Sequence, residues 1–341
     1  MKTIITCLSV FIIVPSFHAQ ERLPIIDMHM HALAATTLGP PPLGMCIPIA
    51  DPFPAWDPAK PYAEIFIAMH KEPACDDPVW SPMTDEELRA GTVEVMERNN
   101  IFGVLVGTHY PAKVGDWMEA APGRFIPGLG FRLGPDSPTT DSLRTLHAKE
   151  RLSVLAILAD APDQYAGVVL EDGSGESYLN LAKELDIPVG IQTGTGPPGI
   201  AYFGYPGHRA KFSSALTIEE LLVRHPGLRV YIMHAGFPFL DDLLALLYAH
   251  PQVYVELGVI IYSQPRAVFY RYLRGIVEAG YGNRVMFGSD QMVWPGVIGR
   301  SIAVINEAPF LSEQQKRDIL YNNAARFLRM TEEEIARHHG M

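Results

Sequence analysis

Few residue combinations in this chain could do chemistry, and the first is a pair. Asp27-Met28-His29-Met30-His31 ends an apolar run, and alternation along a strand sends His29 and His31 to the same side, where two imidazoles can converge on one ion. His234 stands in Met233-His234-Ala235-Gly236 and Asp290 in Gly288-Ser289-Asp290, each also closing an apolar run. Neutral imidazoles and a carboxylate hold a divalent ion that acidifies water, and a further His or Asp moves the proton. Taken singly, each of these histidines reads better as a satisfied core or capping group than as a ligand. Their meaning depends on elements that bring them together.

Eight apolar runs read as strands: Ile25 to His29, Ile101 to His109, Arg124 to Leu133, Ser153 to Ala159, Ile187 to Thr193, Leu228 to His234, Val253 to Val259 and Arg284 to Asp290. Helical spacing falls between most of them, at Ser177 to Asp186, Thr217 to His225, Leu240 to His250 and Arg266 to Ala279. Thr84 with Glu87 has capping-box spacing and opens a helix running towards Asn100. Alternating strands and helices predict an α/β fold, a (β/α)8 TIM barrel. A doubly wound open sheet is weaker, because no G-x-G-x-x-G turn follows the first strand and no phosphate-binding loop occurs. In a barrel the C-terminal strand ends form the active face, so His29, His31, His234 and Asp290 share one rim. His109 ends strand two and Arg132 ends strand three, where either could meet a substrate carboxylate or carbonyl; a rim salt bridge suits Arg132 equally. Glu256 on strand seven reads as a barrel-layer residue without an assigned role, and His225 and His250 as helix-terminal residues.

Composition narrows the partners. The chain has 341 residues, 48% of them hydrophobic, and 27 Lys+Arg against 38 Asp+Glu, a formal charge of −11. That argues against disorder and against nucleic acid as a partner, while the polar residues at the strand ends are what lead to the expectation of a small-molecule substrate. Residues 1–20, MKTIITCLSVFIIVPSFHAQ, read as a signal peptide whose apolar run is too short to span a bilayer, so the mature protein is expected to be secreted or periplasmic, with no membrane span. Of 29 prolines, eleven lie between Pro40 and Pro82. They make residues 32–83 an enlarged, proline-rich loop after strand one, on the catalytic face, expected to act as a lid or pocket wall. Cys46 and Cys75 both lie in it; a disulfide and two free thiols are equally compatible with the sequence. The barrel is expected over 21–330, with 331–341 a charged helical tail.

The segments IIDMHMHA, LDIPVGIQTGTGPPG, LRVYIMHAGFPFLDDLLALLYAHPQVYVELGVI, RVMFGSDQMVWP and DILYNNAARFL resemble the amidohydrolase-related TIM-barrel family (the amidohydrolase 2 type), whose branch includes metal-dependent decarboxylases. The resemblance spans about residues 24 to 330. It implies that His29, His31 and Asp290 are metal ligands, that Asp290 and His234 are catalytic, that the cofactor is divalent zinc or manganese, and that the protein is a homodimer. One position departs: where the family has a strand-five histidine ligand, this chain has Gln192, a poorer ligand for zinc and a candidate substrate contact. Three readings stay open: a metal site completed by His234 or Gln192, a metal-free barrel using Asp290 and His234 as base and acid, or a non-catalytic binding relative. The expected activity is hydrolysis of a small amide, ester or lactone by activated water. The alternative is non-oxidative decarboxylation of an unsaturated or aromatic acid.

Overall fold

The computed structural model describes residues 22–340 apart from 107–110, 132, 134–136, 158–172, 174 and 195. The expected leader at 1–20, His109 and Arg132 lie outside the described residues. Eight parallel strands follow one another around the sheet in chain order: β1 Ile25–Met30, β2 Ile101–Leu105, β3 Phe125–Phe131, β4 Val154–Ile157, β5 Val189–Gln192, β6 Val230–Met233, β7 Val253–Glu256 and β8 Val285–Met286. With helices between them they form a (β/α)8 TIM barrel. Most strands end sooner than the apolar runs suggest. β8 is the extreme case, because residues 287–290 leave the regular ladder and turn towards β1. There they close the barrel: Met28 N donates to Phe287 O (2.9 Å), Asp290 N to His29 O (2.8 Å), and Ser289 N to the Asp27 carboxylate (2.9 Å).

Two apolar clusters show how side chains divide across the sheet. The larger joins strand residues such as Leu105, Ile191 and Val255 to outer-helix residues such as Leu88, Leu179 and Leu243. The smaller fills the barrel interior with Ile26, Met28, Val104, Ala156, Tyr231 and Met286, closed below by Tyr321 and Phe327. Met28 belongs inside and Met30 outside, although strict alternation puts them on one face. The pairing of β1 with β2 shifts register between Asp27 and Met30, and this bulge changes the parity of the strand just where the histidines lie. The interior leaves no room for a side chain at Gly190, whose Cβ would overlap the Tyr231 ring.

Thr84 and Glu87 form the expected capping box on the helix Asp85–Asn99. Before it, the segment after β1 contains a helix, Tyr62–Lys71, and two short antiparallel strands, Gly44–Met45 and Val79–Trp80. A disulfide joins Cys46 to Cys75 across 5.8 Å between Cα atoms. This segment rests on loops that follow three other strands. Leu43 O accepts from the Trp294 indole (2.8 Å), Ile49 N donates to Ser263 O (3.1 Å), and Phe66 stacks on Phe203 (4.3 Å). At the opposite end of the barrel the helix Glu332–His338, capped by Thr331 and Glu334, places His338 flat against Phe102 with centroids 3.5 Å apart.

Candidate active site

Five side chains from four strand ends converge at one rim. His29 and His31 flank the end of β1, His234 follows β6 directly, Glu256 is the last residue of β7, and Asp290 lies in the turn after β8. His29 Nε2 is 3.1 Å from His31 Nε2 and 3.7 Å from Asp290 Oδ1, and His31 Nε2 is 2.7 Å from that same oxygen. A tetrahedral zinc ion with ligand bonds near 2.0–2.1 Å holds its donor atoms about 3.3 Å apart. The three observed separations scatter around that edge length, so His29, His31 and Asp290 fit a divalent ion, and these three meet within ligand distance of one another.

His29, His234 and Glu256 form a second close group, but hydrogen bonds already occupy it. The Glu256 carboxylate takes the Gly258 N–H on Oε1 and the His234 N–H on Oε2 (3.4 Å), with His29 Nδ1 also on Oε2 at 3.2 Å. His234 Nδ1 lies 2.9 Å from Gly258 O. A carbonyl only accepts, so Nδ1 carries the proton and Nε2 turns its lone pair towards Asp290 Oδ2, 3.9 Å away. Around these groups the backbone is clasped. Asp27 accepts from His29 N (3.0 Å), and Gln291 grips the His31 backbone by both its N–H (3.0 Å) and its C=O (2.7 Å).

Burial sets the charge states. It pulls His29 down to about 4 and lowers His234, so both imidazoles are neutral near pH 7. Burial pushes Glu256 up to about 7 and Asp27 also to about 7. Asp290 is the exception: burial would raise it, but the fields of His29, His31 and His234 and the His31 hydrogen bond hold it well below the usual carboxylate range. Backbone strain gathers here as well. His234 (φ 59°), Ala235 (φ 49°), Val259 (φ 54°), Asp290 (φ 50°) and Met292 (φ 45°) all occupy the left-handed region, in the loops after β6, β7 and β8.

Comparison with known proteins places this geometry in a lineage. A family model described as amidohydrolase matches residues 26–330. The chain belongs to the amidohydrolase family. Members of that family bind divalent metals, and the His29, His31 and Asp290 group is the candidate for such a site in this chain. Solved structures similar to it share the fold at low identity. A probable 2-pyrone-4,6-dicarboxylic acid hydrolase from Acinetobacter baumannii, with citric acid bound, is 13% identical over 90% of this chain and 100% of that one (TM-score 0.55). An amidohydrolase from Burkholderia multivorans with bound HEPES is 14% identical over 90% and 100% (TM-score 0.56). A 2,6-dihydroxybenzoate decarboxylase complexed with 2,6-dihydroxybenzoate is 13% identical over 90% and 99% (TM-score 0.53). Its fold neighbours thus include both hydrolases and decarboxylases. Comparison with curated protein sequences found no match.

Of the residues singled out from sequence, the structure brings together His29, His31, His234 and Asp290. Gln192 closes β5, half-buried and in register with Met233 on β6. Glu256 and Gln291 went unassigned by sequence reasoning, because the contacts that tie them to the β1 histidines, His29 for Glu256 and His31 for Gln291, cross more than 200 residues of chain. The signal for Glu256 was present: a charged residue inside an apolar strand, followed by Gly258 and answered by Gly288. A Cβ at either glycine would overlap its carboxylate.

Proposed function

We propose that this amidohydrolase is a metal-dependent hydrolase acting on a small amide, ester or lactone by activated water. The observation that carries the reading is the triangle of His29 Nε2, His31 Nε2 and Asp290 Oδ1, with separations of 3.1, 3.7 and 2.7 Å that suit one divalent ion. When bound, zinc or manganese supplies Lewis acidity to water and to the substrate carbonyl. The protein's own groups then manage the proton. Asp290, ionised at neutral pH, takes a proton from the attacking water. His234 Nε2 lies 3.9 Å from Asp290 Oδ2 with its lone pair outward, so it receives a proton and returns it to the leaving nitrogen or oxygen. In this tautomer Nε2 cannot donate to a developing oxyanion until it has been protonated. That places His234 in proton transfer ahead of oxyanion stabilisation.

Action outside the cytoplasm is part of this proposal. The apolar N-terminal run supports it, and so does the Cys46–Cys75 bridge, a bond that persists in oxidising compartments.

The test is elemental analysis of protein purified with zinc or manganese present, joined to a panel of lactones, esters, amides and hydroxybenzoates. Close to one equivalent of metal per chain and hydrolysis from the first three classes are expected. Full hydrolytic activity in metal-free protein, or carbon dioxide release from hydroxybenzoates without hydrolysis, overturns the reading.

A further inference from the structure

Glu256 is fully buried with the Asp290 carboxylate close enough to oppose its ionisation, and an acid in that position needs a reason. Its two oxygens face three nitrogens that belong to different parts of the site. Gly258 N–H approaches Oε1, while His234 N–H and His29 Nδ1 approach Oε2 at 3.4 and 3.2 Å. Two of these are backbone donors, one on each oxygen, so the ionised carboxylate accepts on both, and in that form the bond to His29 places the proton on Nδ1. That leaves the His29 Nε2 lone pair facing His31 Nε2 at 3.1 Å and Asp290 Oδ1 at 3.7 Å. The same carboxylate also ties down the left-handed turn at His234, whose ring stacks on His29 with centroids 5.3 Å apart. Space has been cleared for it, since a Cβ at Gly258 or Gly288 would occupy the volume of its Oε1.

We infer that Glu256 is a positioning residue, which locks His29 in its Nδ1–H tautomer and holds the start of the His234 turn. His29 thereby presents an unprotonated Nε2 to Asp290, as His234 does through the bond of its Nδ1–H to Gly258 O. Carboxylates that accept from the far nitrogen of a ligand histidine act this way in metal sites, where removing them weakens metal binding by about 10–100-fold. The inference rests on the proposed metal-site reading for its consequence, but its geometry stands without metal.

The experiment uses the metal-free full chain, with long-range ¹H–¹⁵N correlation of the histidine rings, and then zinc titration against a chromogenic chelator. Native His29 is expected as the Nδ1–H tautomer. In Glu256→Gln an amide –NH₂ must face one of the three donors, so the variant is expected to populate the Nε2–H tautomer and to bind zinc about 10–100-fold more weakly. Glu256→Asp retains a carboxylate and is expected to restore part of the Nδ1–H population. A native His29 found as the Nε2–H tautomer overturns the inference whether or not any variant folds. So does a Glu256→Gln protein with native tautomer and native zinc affinity. A native protein that takes up no zinc, yet changes its His29 tautomer in Glu256→Gln, overturns the metal-site reading and leaves the positioning role standing.

Discussion

Asp290 is within 4 Å of all three site histidines, through separate oxygens: Oδ1 towards His29 and His31, Oδ2 towards His234. A single carboxylate therefore serves both as a prospective ligand and as a prospective base. Replacing it separates these roles from simple packing, because Asp290→Asn keeps the shape and removes the charge. Turnover of any hydrolysed substrate is expected to fall by about 10²–10⁴-fold, the range for loss of a positioned acid–base group. Steady-state kinetics on the zinc-loaded variant, with its metal content measured alongside, checks this. An unchanged kcat would remove Asp290 from the chemistry. Residues of this kind were legible in the sequence, since a polar side chain at the end of an apolar run is unusual and the types matched a metal-hydrolase set. Gln291 was not, because its task of clasping the His31 backbone is set by a contact across 260 residues of chain.

At the scale of elements, the bulge in β1 has the largest consequence. It moves Met28 and Met30 onto different faces, whereas sequence alternation treats the strand as regular. A bulge arises from how two strands pair, which a single strand's pattern does not reveal. The last helix shows the converse. Its charge marked the tail at 331–341 as helical, but only packing decides that His338 turns inward onto Phe102 and Tyr321. Burial, with Arg337 nearby, brings the His338 pKa down to about 4 from 6.5. Its folded value lies below its unfolded one, so the neutral form favours folding. As pH falls from about 6.5 towards 4, the unfolded chain takes up a proton that the folded chain refuses, and stability is lost. Thermal unfolding at pH 7.5 and pH 5 is expected to show a smaller pH-induced drop in Tm for His338→Asn than for the native protein. Equal drops would mean that His338 contributes nothing, with His29, His70 and His234, all shifted the same way, left to account for the slope.

For the whole molecule, the proline-rich segment links the barrel's loops. It touches the loops after β5, β7 and β8 through Phe203, Ser263 and Trp294, and it is cross-linked by Cys46–Cys75 at a sequence separation of 29. Closing a loop of that length removes chain entropy worth about 3–4 kcal/mol from the unfolded state, as an upper figure. A Cys46→Ser, Cys75→Ser double variant is expected to unfold at lower denaturant than the native protein and to retain its metal content, because the ligand set is carried by the barrel. Loss of metal together with the bridge would show that the segment organises the rim itself.

The sequence by itself determined the barrel, the order of its strands and the four polar residues at their ends. These follow from local patterns: apolar runs, capping residues and side-chain types that read over a few positions. It left the two thiols open between free and bridged, and it passed over Glu256 and Gln291. Those questions turn on distances between segments far apart in the chain, on which oxygen faces which nitrogen, and on the space two glycines leave empty. Hydrogen bonds and ligand sets depend on geometry at the scale of an ångström, and only the closed barrel brings the ends of β1, β6, β7 and β8 that near.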